Sequence, residues 1–302
     1  VRRTWTLHIH VNHKNIMDII ARILNPLLMI AMPLALGVFL AQRLKADWRL
    51  FGIGAVTFIS SQVFHIPFNA WILSPAVDKL GLSITQQGIR LAAAALLFGL
   101  SAGVFEETAR YLVYRFWLEE DREWESALML GAGHGGVEAI ILGAIVVYAL
   151  IQALTLRGAD LSAVVPADQI GTARAQIEAY WSAPWYAAIL GAVERAATIC
   201  FHLSASVLVA RAFTRRNILW LGAAIGWHTL LDAVAVYAVR TWGPYMAEAF
   251  IVAAGLASVG IIFKLKTTRQ APGQQPPPPT LTSPQIQPAA PTPENLEDTR
   301  YV

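Results

Sequence analysis

Seven long apolar runs follow one another along the chain, at roughly 23–41, 50–73, 90–118, 127–154, 184–211, 217–240 and 244–264. Each is close to or above the roughly 20 residues that a helix needs to cross the hydrocarbon of a bilayer. The joints between them are mostly short, which suits antiparallel neighbours. The exception is 155–183, where Arg157, Asp160, Asp168, Arg174 and Glu178 punctuate a partly apolar stretch. That stretch predicts a short interfacial helix with Trp181 and Trp185 as boundary anchors. Residues 1–22 are polar and basic and lack a small-residue cleavage site, so they read as a retained tail. From about Thr267 onward the chain holds most of its 16 prolines and almost no large apolar residues, which predicts a disordered tail over 267–302. Between the two tails, 23–266 reads as one all-α, polytopic transmembrane bundle.

Composition agrees with the pattern. Charged residues make up 14% of the 302 and residues of the apolar set 56%, and the mean hydropathy is +0.49. A soluble domain carries about 25% charge, so a cell-membrane, multi-pass protein surrounded by lipid is expected. The net charge is only +3, and no basic stripe points to nucleic acid. Cys200 is the lone cysteine, which excludes an internal disulfide framework, a four-cysteine zinc site and a C-x-x-C redox pair.

Basic residues at the helix ends set the expected orientation. The side on which the last span ends carries Arg43, Lys45, Arg49, Arg115, Arg122, Arg211, Arg215, Arg216, Lys264 and Lys266. The other side has Lys79, Arg90, Arg157, Arg174 and Arg240, plus Arg2, Arg3, Lys14 and Arg22 in the N-terminal tail. The balance places the C-terminus in the cytoplasm.

The apolar runs are interrupted by ionisable groups, each of which costs about 2.5–3.5 kcal/mol at the bilayer centre on insertion scales. The third run carries Glu106, Glu107 and Arg110 in FEETARY; the fourth, His134 and Glu138 in GAGHGGVE. The fifth carries Glu194, Arg195 and His202 in VERAATICFH, and the sixth His228 and Asp232 in GWHTLLD. Unpaired, they would together cost well over roughly 10 kcal/mol, so they must meet one another or water. Glu106 and Arg110, His134 and Glu138, and His228 and Asp232 are each four apart and share a helix face. Counted from the helix ends on the C-terminal side, Glu106, His134, His202 and His228 lie at roughly 18, 10, 13 and 16 Å, with Glu194 deeper at roughly 25 Å. Four residues on four helices at one level are what a single site requires.

Carboxylates and imidazoles in a dry pocket with access to water suit hydrolysis. A desolvated glutamate can take a proton from water, and a histidine can hold that water or donate to a developing oxyanion. Asp232, one turn from His228, can fix its tautomer. His134, His202 and His228 with a carboxylate also make a zinc set, and the two alternatives need almost the same residues. No H-E-x-x-H, no G-x-S-x-G elbow and no paired intramembrane aspartate is present. Bland readings stand beside these. Glu106, Glu107 and Arg110 could be a buried ion cluster that sets helix register. Gly131, Gly133, Gly135 and Gly136 could be a packing seam, or could leave an extended ligand room beside His134. His65 reads as structural, and His8, His10 and His13 as surface groups. Glu194 and Arg195, being adjacent, do not face each other, so each is expected to pair with another helix; Arg195 would then neutralise one of the surplus carboxylates. Glu248, near Pro244, is placed at the membrane boundary.

These runs resemble the YhfC-like family of intramembrane metalloproteases. Through it they resemble the wider superfamily of CAAX prenyl proteases and bacteriocin-processing enzymes, which includes the PrsW-like proteases. The superfamily's ordered pattern looks like Glu106-Glu107…Arg110, His134, His202 and His228…Asp232 here, over about 130 residues. The resemblance implies that Glu106 activates water, with Glu107 in support and His134 helping to hold the water. It implies that His228 and Asp232 stabilise the oxyanion or join His134 and His202 as metal ligands. Only Thr108 and Ala109 separate Glu107 from Arg110, where the prenyl proteases have three residues, and Asp232 stands where they carry Asn. Both departures point away from prenylated substrates.

The resulting expectation is an intramembrane endopeptidase acting on a transmembrane or membrane-proximal peptide. Glu106 or Glu107 would be the base, in a cavity formed by the third to sixth spans and open toward the cytoplasmic half. Arg110, Glu138, Glu194 and Arg195 would support it, with zinc as the candidate cofactor. The rivals are a non-catalytic scaffold or immunity-type partner that binds a transmembrane helix, and a proton-coupled transporter; no inverted repeat favours the latter.

Overall fold

The computed structural model describes residues 13–266, which are helical and contain no strand. The main helices are α1 (His13–Leu44), α2 (Trp48–Phe68), α3 (Ser74–Lys79), α4 (Gly88–Phe116), α5 (Trp124–Leu156), α6 (Ile170–Ser182), α7 (Leu190–Thr214), α8 (Leu219–Trp242) and α9 (Pro244–Lys264). Seven segments are long and apolar enough to span a membrane: Ile16–Leu44, Trp48–Lys79, Gly88–Phe116, Trp124–Leu156, Trp185–Thr214, Leu219–Trp242 and Pro244–Lys264. The proline-rich tail expected over 267–302 lies outside the described residues.

The first boundary moves. Helix α1 begins at His13, inside the stretch expected to be a polar tail, and the buried Arg22 within it is neutralised. Arg22 pairs with Asp18 one turn earlier at 3.0 Å, donates to the Ala183 carbonyl at 3.0 Å and lies 4.6 Å over the Tyr180 ring. The short helix expected in the long connection is α6. Its Trp181 donates to the Ala153 carbonyl and carries Arg157 at 4.2 Å over its ring. Helix α2 runs into a wider π turn at Asn69–Leu73; Pro75, next along, has no N–H to return to the Trp71 carbonyl.

Helix α7 is the axis of the bundle. In its most apolar stretch 78% of residues are buried, against 22–39% in the other six spans, and it is packed by α1, α4, α5, α8 and α9. Its sequence explains this: Ala192, Ala197, Ser204, Ala205, Ser206 and Ala210 are all buried, and small residues let backbones approach where water supplies no driving force. The glycines of α5 serve the same end. A β-carbon on Gly131 would stand 2.8 Å from the His202 carbonyl oxygen, and one on Gly133 only 2.0 Å from that of Phe51. They form a packing seam and leave no ligand space beside His134.

Candidate functional site

The ionic groups of α4, α5, α7 and α8 in the polar layer find partners, though often different ones from those which spacing suggests. On α4, Glu107 and Arg110 are wholly buried and pair across three residues. Arg110 therefore does not bond Glu106 four residues away; its second nitrogen donates to His202 Nδ1 at 2.7 Å. Glu107 also accepts from His228 Nδ1 at 2.7 Å. Glu106, 6% exposed, has one oxygen 3.0 Å from His134 Nε2. Its other oxygen accepts from Gln62 Nε2 at 2.9 Å. His228 Nε2 lies 3.9 Å from Glu106 and 3.6 Å from Asp232.

A second carboxylate group adjoins the first. Glu138 accepts from His202 Nε2 at 2.8 Å and from Arg195 at 2.5 Å. The other arm of the Arg195 guanidinium reaches Glu194. Adjacent residues do face one another here, because a fork on a long stem can turn back along its own helix. The imidazoles meet as the depth argument requires, with ring centres of His134 and His202 5.1 Å apart and those of His202 and His228 5.9 Å apart. All six proposed catalytic residues, and Glu138, Glu194 and Arg195, thus belong to one network held by α4, α5, α7 and α8.

Sequence reading missed the contribution of α2. Gln62 holds Glu106, and His65 Nδ1 in turn contacts the Gln62 amide oxygen at 3.3 Å. Asn69 contacts His65 Nε2 at 2.9 Å, and Ser101 donates to Asn69 at 2.8 Å. His65, read from the sequence as lying outside the site, is joined to it through Gln62. Gln62, His65 and Asn69 recur at three- and four-residue spacing, and that polar stripe on an apolar helix was the available signal.

A cavity of about 130 Å³ adjoins this network, lined by Glu106, Glu138, Glu194, Arg195, Thr198, Phe201, His202, His228, Leu231, Asp232, Ala235 and Ile251. It is large enough for several waters. Its direction corrects the expectation of an opening toward the C-terminal side. Thr198 and Glu194 precede His202 on α7, Ala235 follows His228 on α8, and Ile251 is in the first half of α9. The lining therefore runs toward the side where α7 and α9 begin. Exposure follows the same course, with Asp232 at 37% and Glu194 at 35% by side chain, while Glu107 and His134 are at 0%. The C-terminal side of the layer is sealed by the apolar core, including Tyr114, Leu118, Trp124, Leu128 and Val207.

Among the described residues, one group has ligand atoms close enough to share a metal ion: Glu106, His134 and His202, all within 4.8 Å of one another. A carboxylate with two imidazoles is a donor set that zinc accepts, and His134 presents Nε2 to Glu106 at 3.0 Å. The residues present therefore fit a metal.

The profile of the family described as YhfC intramembrane metalloprotease matches residues 28–254, which takes in every residue of this network. The chain belongs to that family. It is 28% identical over 242 residues to the "Uncharacterized membrane protein YhfC" of Bacillus subtilis (strain 168), an alignment that covers 79% of this chain and 92% of that protein. No solved structure matches. The family's name carries a metal and a proteolytic activity; the Bacillus relative adds membrane residence, already evident from the seven spans.

Proposed function

We propose that the chain is an intramembrane endopeptidase that hydrolyses a peptide bond in or near the bilayer, with Glu106 as general base. The observation that carries this reading is the position of Glu106: a carboxylate held at both oxygens, by Gln62 and His134, on the wall of a cavity sized for water. Water beside Glu106 would lose a proton to the carboxylate as its oxygen adds to the scissile carbonyl carbon. The same carboxyl would then return the proton to the departing amine. Glu107, neutralised by Arg110, orients His228 and takes no proton. Beside Glu106, His134 and His202 would hold a divalent ion, zinc by the chemistry of the donors, leaving the Glu106 carboxylate free to act as the base. When bound, it supplies Lewis-acid polarisation of the carbonyl and lowers the cost of ionising water.

The cavity admits water but is well below the 300–1,000 Å³ typical of ligand pockets. A peptide substrate would therefore enter by parting the helices around it. Comparison of membranes from cells producing the wild type or Glu106→Gln, by mapping new protein N-termini, tests the proposal. New termini within or beside membrane segments, present only with the wild type, are expected. Identical termini in both would sink the enzyme reading and leave a scaffold that binds a helix without cutting it.

A further inference from the structure

A second cavity, of about 480 Å³, shares no residue with the polar layer and lies where α5 ends and α6 folds back toward it. That volume is within the roughly 300–1,000 Å³ typical of ligand pockets. The connection builds its walls. Helix α5 stops at Leu156, Gly158 takes a φ of +75°, and Asp160 caps the short turn Leu161–Ala163 by accepting from the Ser162 N–H at 3.0 Å. Helix α6 then returns the chain, and Trp181 fixes it to α5 by donating to the Ala153 carbonyl at 3.3 Å. Between the turn and that bond the space stays open.

Helix α6 carries two charged residues, Arg174 and Glu178, and both line this cavity, on one stripe with Ile177 and Trp181. An interfacial helix ordinarily keeps its charges on the face opposite its apolar residues. The third charge of the cavity is Arg157, which follows the apolar run of α5 directly. Its guanidinium lies 4.2 Å over the Trp181 ring, and its N–H groups, which lie in its own plane, remain for an acceptor. Arg22, 5.3 Å from the same ring, is already neutralised by Asp18. Among the described residues, the side chains of Arg157, Arg174 and Glu178 form no ion pair or hydrogen bond.

Two guanidiniums and one carboxylate leave one net positive charge at the membrane boundary. Arginine is the side chain that best matches phosphate oxygens, and Leu156, Leu161 and Ile177 place an apolar wall beside the two guanidiniums. A free anion gains nothing from such a wall, whereas a lipid does. The carboxylate requires a donor in the same ligand. A headgroup with one phosphodiester charge and hydroxyls beyond it meets all three groups and brings the net charge to zero.

We infer that this cavity binds the headgroup of an anionic glycerophospholipid of the phosphatidylglycerol type, with its phosphodiester between Arg157 and Arg174 and a headgroup hydroxyl on Glu178. The site stands whether or not the polar layer cleaves peptides.

Native mass spectrometry of the delipidated full chain in detergent tests this, with dioleoylphosphatidylglycerol as the probe. One bound lipid per chain is expected. Affinity should fall by about 10–100-fold in Arg157→Gln and in Arg174→Gln, as loss of a hydrogen bond to a charged group implies. Arg90→Gln removes an exposed arginine on the same side of the membrane and outside the cavity, and should bind as the wild type does. Dioleoylphosphatidylcholine, which has the phosphodiester but neither net charge nor hydroxyl, should bind at least about tenfold more weakly. Inorganic phosphate should not displace the lipid. Equal loss in Arg90→Gln would show diffuse attraction only and overturn the site. Equal binding of the two lipids, or displacement by inorganic phosphate, would overturn the assignment of its occupant. Melting curves check that the variants fold. Should Arg157→Gln unfold through loss of its contact with Trp181, Arg174→Gln decides alone, and unchanged binding there overturns the inference.

Discussion

Gln62 on α2 donates to Glu106 on α4 at 2.9 Å, and so ties the proposed base to a helix outside the family's conspicuous motifs. The bond ends a line that runs from Ser101 through Asn69 and His65 to Gln62. Hydrogen bonds to a charged group contribute about 1.5–3 kcal/mol. Gln62→Leu should therefore slow cleavage by roughly 10–100-fold, with the fold retained. A rate equal to wild type would show that Glu106 does not need this partner.

Arg195 is the counter-ion of two carboxylates, Glu138 and Glu194. Its removal strands buried charge, which costs about 3–5 kcal/mol. Arg195→Ala should lower the thermal unfolding temperature in detergent sharply, and Arg195→Lys should recover part of the loss. Arg49→Ala is the comparison: its pair with Asp121 is exposed, and exposed pairs contribute about 0–1 kcal/mol. Equal effects at the two arginines would contradict the burial argument.

The seam between α2 and α5 admits no side chain. A β-carbon on Gly54 would stand 2.1 Å from the Leu130 carbonyl oxygen, and backbone cannot move aside as a side chain can. Gly54→Ala and Gly133→Ala should each destabilise by about 1–3 kcal/mol or more, as overpacking does. Gly52→Ala, two residues from Gly54 and with nothing within 4 Å, should be neutral or stabilising by up to about 1 kcal/mol. Melting curves that rank the three otherwise would refute the close contact.

The direction of the cavity can be read by cysteine labelling. With Cys200→Ser as background, Thr198→Cys and Ala235→Cys should react with a membrane-impermeant maleimide applied to the side where α7 and α9 begin. Leu128→Cys, in the apolar seal at 3% exposure, should not react from either side. With the C-terminus in the cytoplasm, the reactive side is the external one. Labelling of the two cavity positions only from the C-terminal side would reverse the assignment.

Metal removal should act on stability as well as activity. A ligand that binds only the folded state stabilises it by about 2.7 kcal/mol at a hundred times its Kd. Chelation should therefore lower the melting temperature, and stoichiometric zinc should restore it. An unchanged melting curve would count against an ion at the centre of the bundle.

The seven spans could be read from the chain because a bilayer leaves a helix one choice. Its backbone must bond within itself and its surface must be apolar over about 20 residues. The level of the site was legible for a related reason: rise per residue converts position along a spanning helix into depth, so Glu106, His134, His202 and His228 could be matched before any packing was known. Helix α1 was read too short because hydropathy scores Arg22 as a charge and cannot see Asp18 and Ala183 neutralising it.

Pairing was decided only by the tertiary structure. A shared face at i, i+4 pointed Arg110 at Glu106, yet the rotation of α4 against α7 and α8 gives it to Glu107 and His202. Gln62 carries no charge and so did not stand out among the ionisable groups, but proximity to α4 makes it a partner of the base. The direction of the cavity is likewise absent from the chain as text. It depends on which end of the polar layer the large apolar side chains fill, and they fill the end where Tyr114, Leu118 and Trp124 meet. Depth is one-dimensional and is written along each helix; rotation and volume belong to several helices at once, and only their assembly determines them.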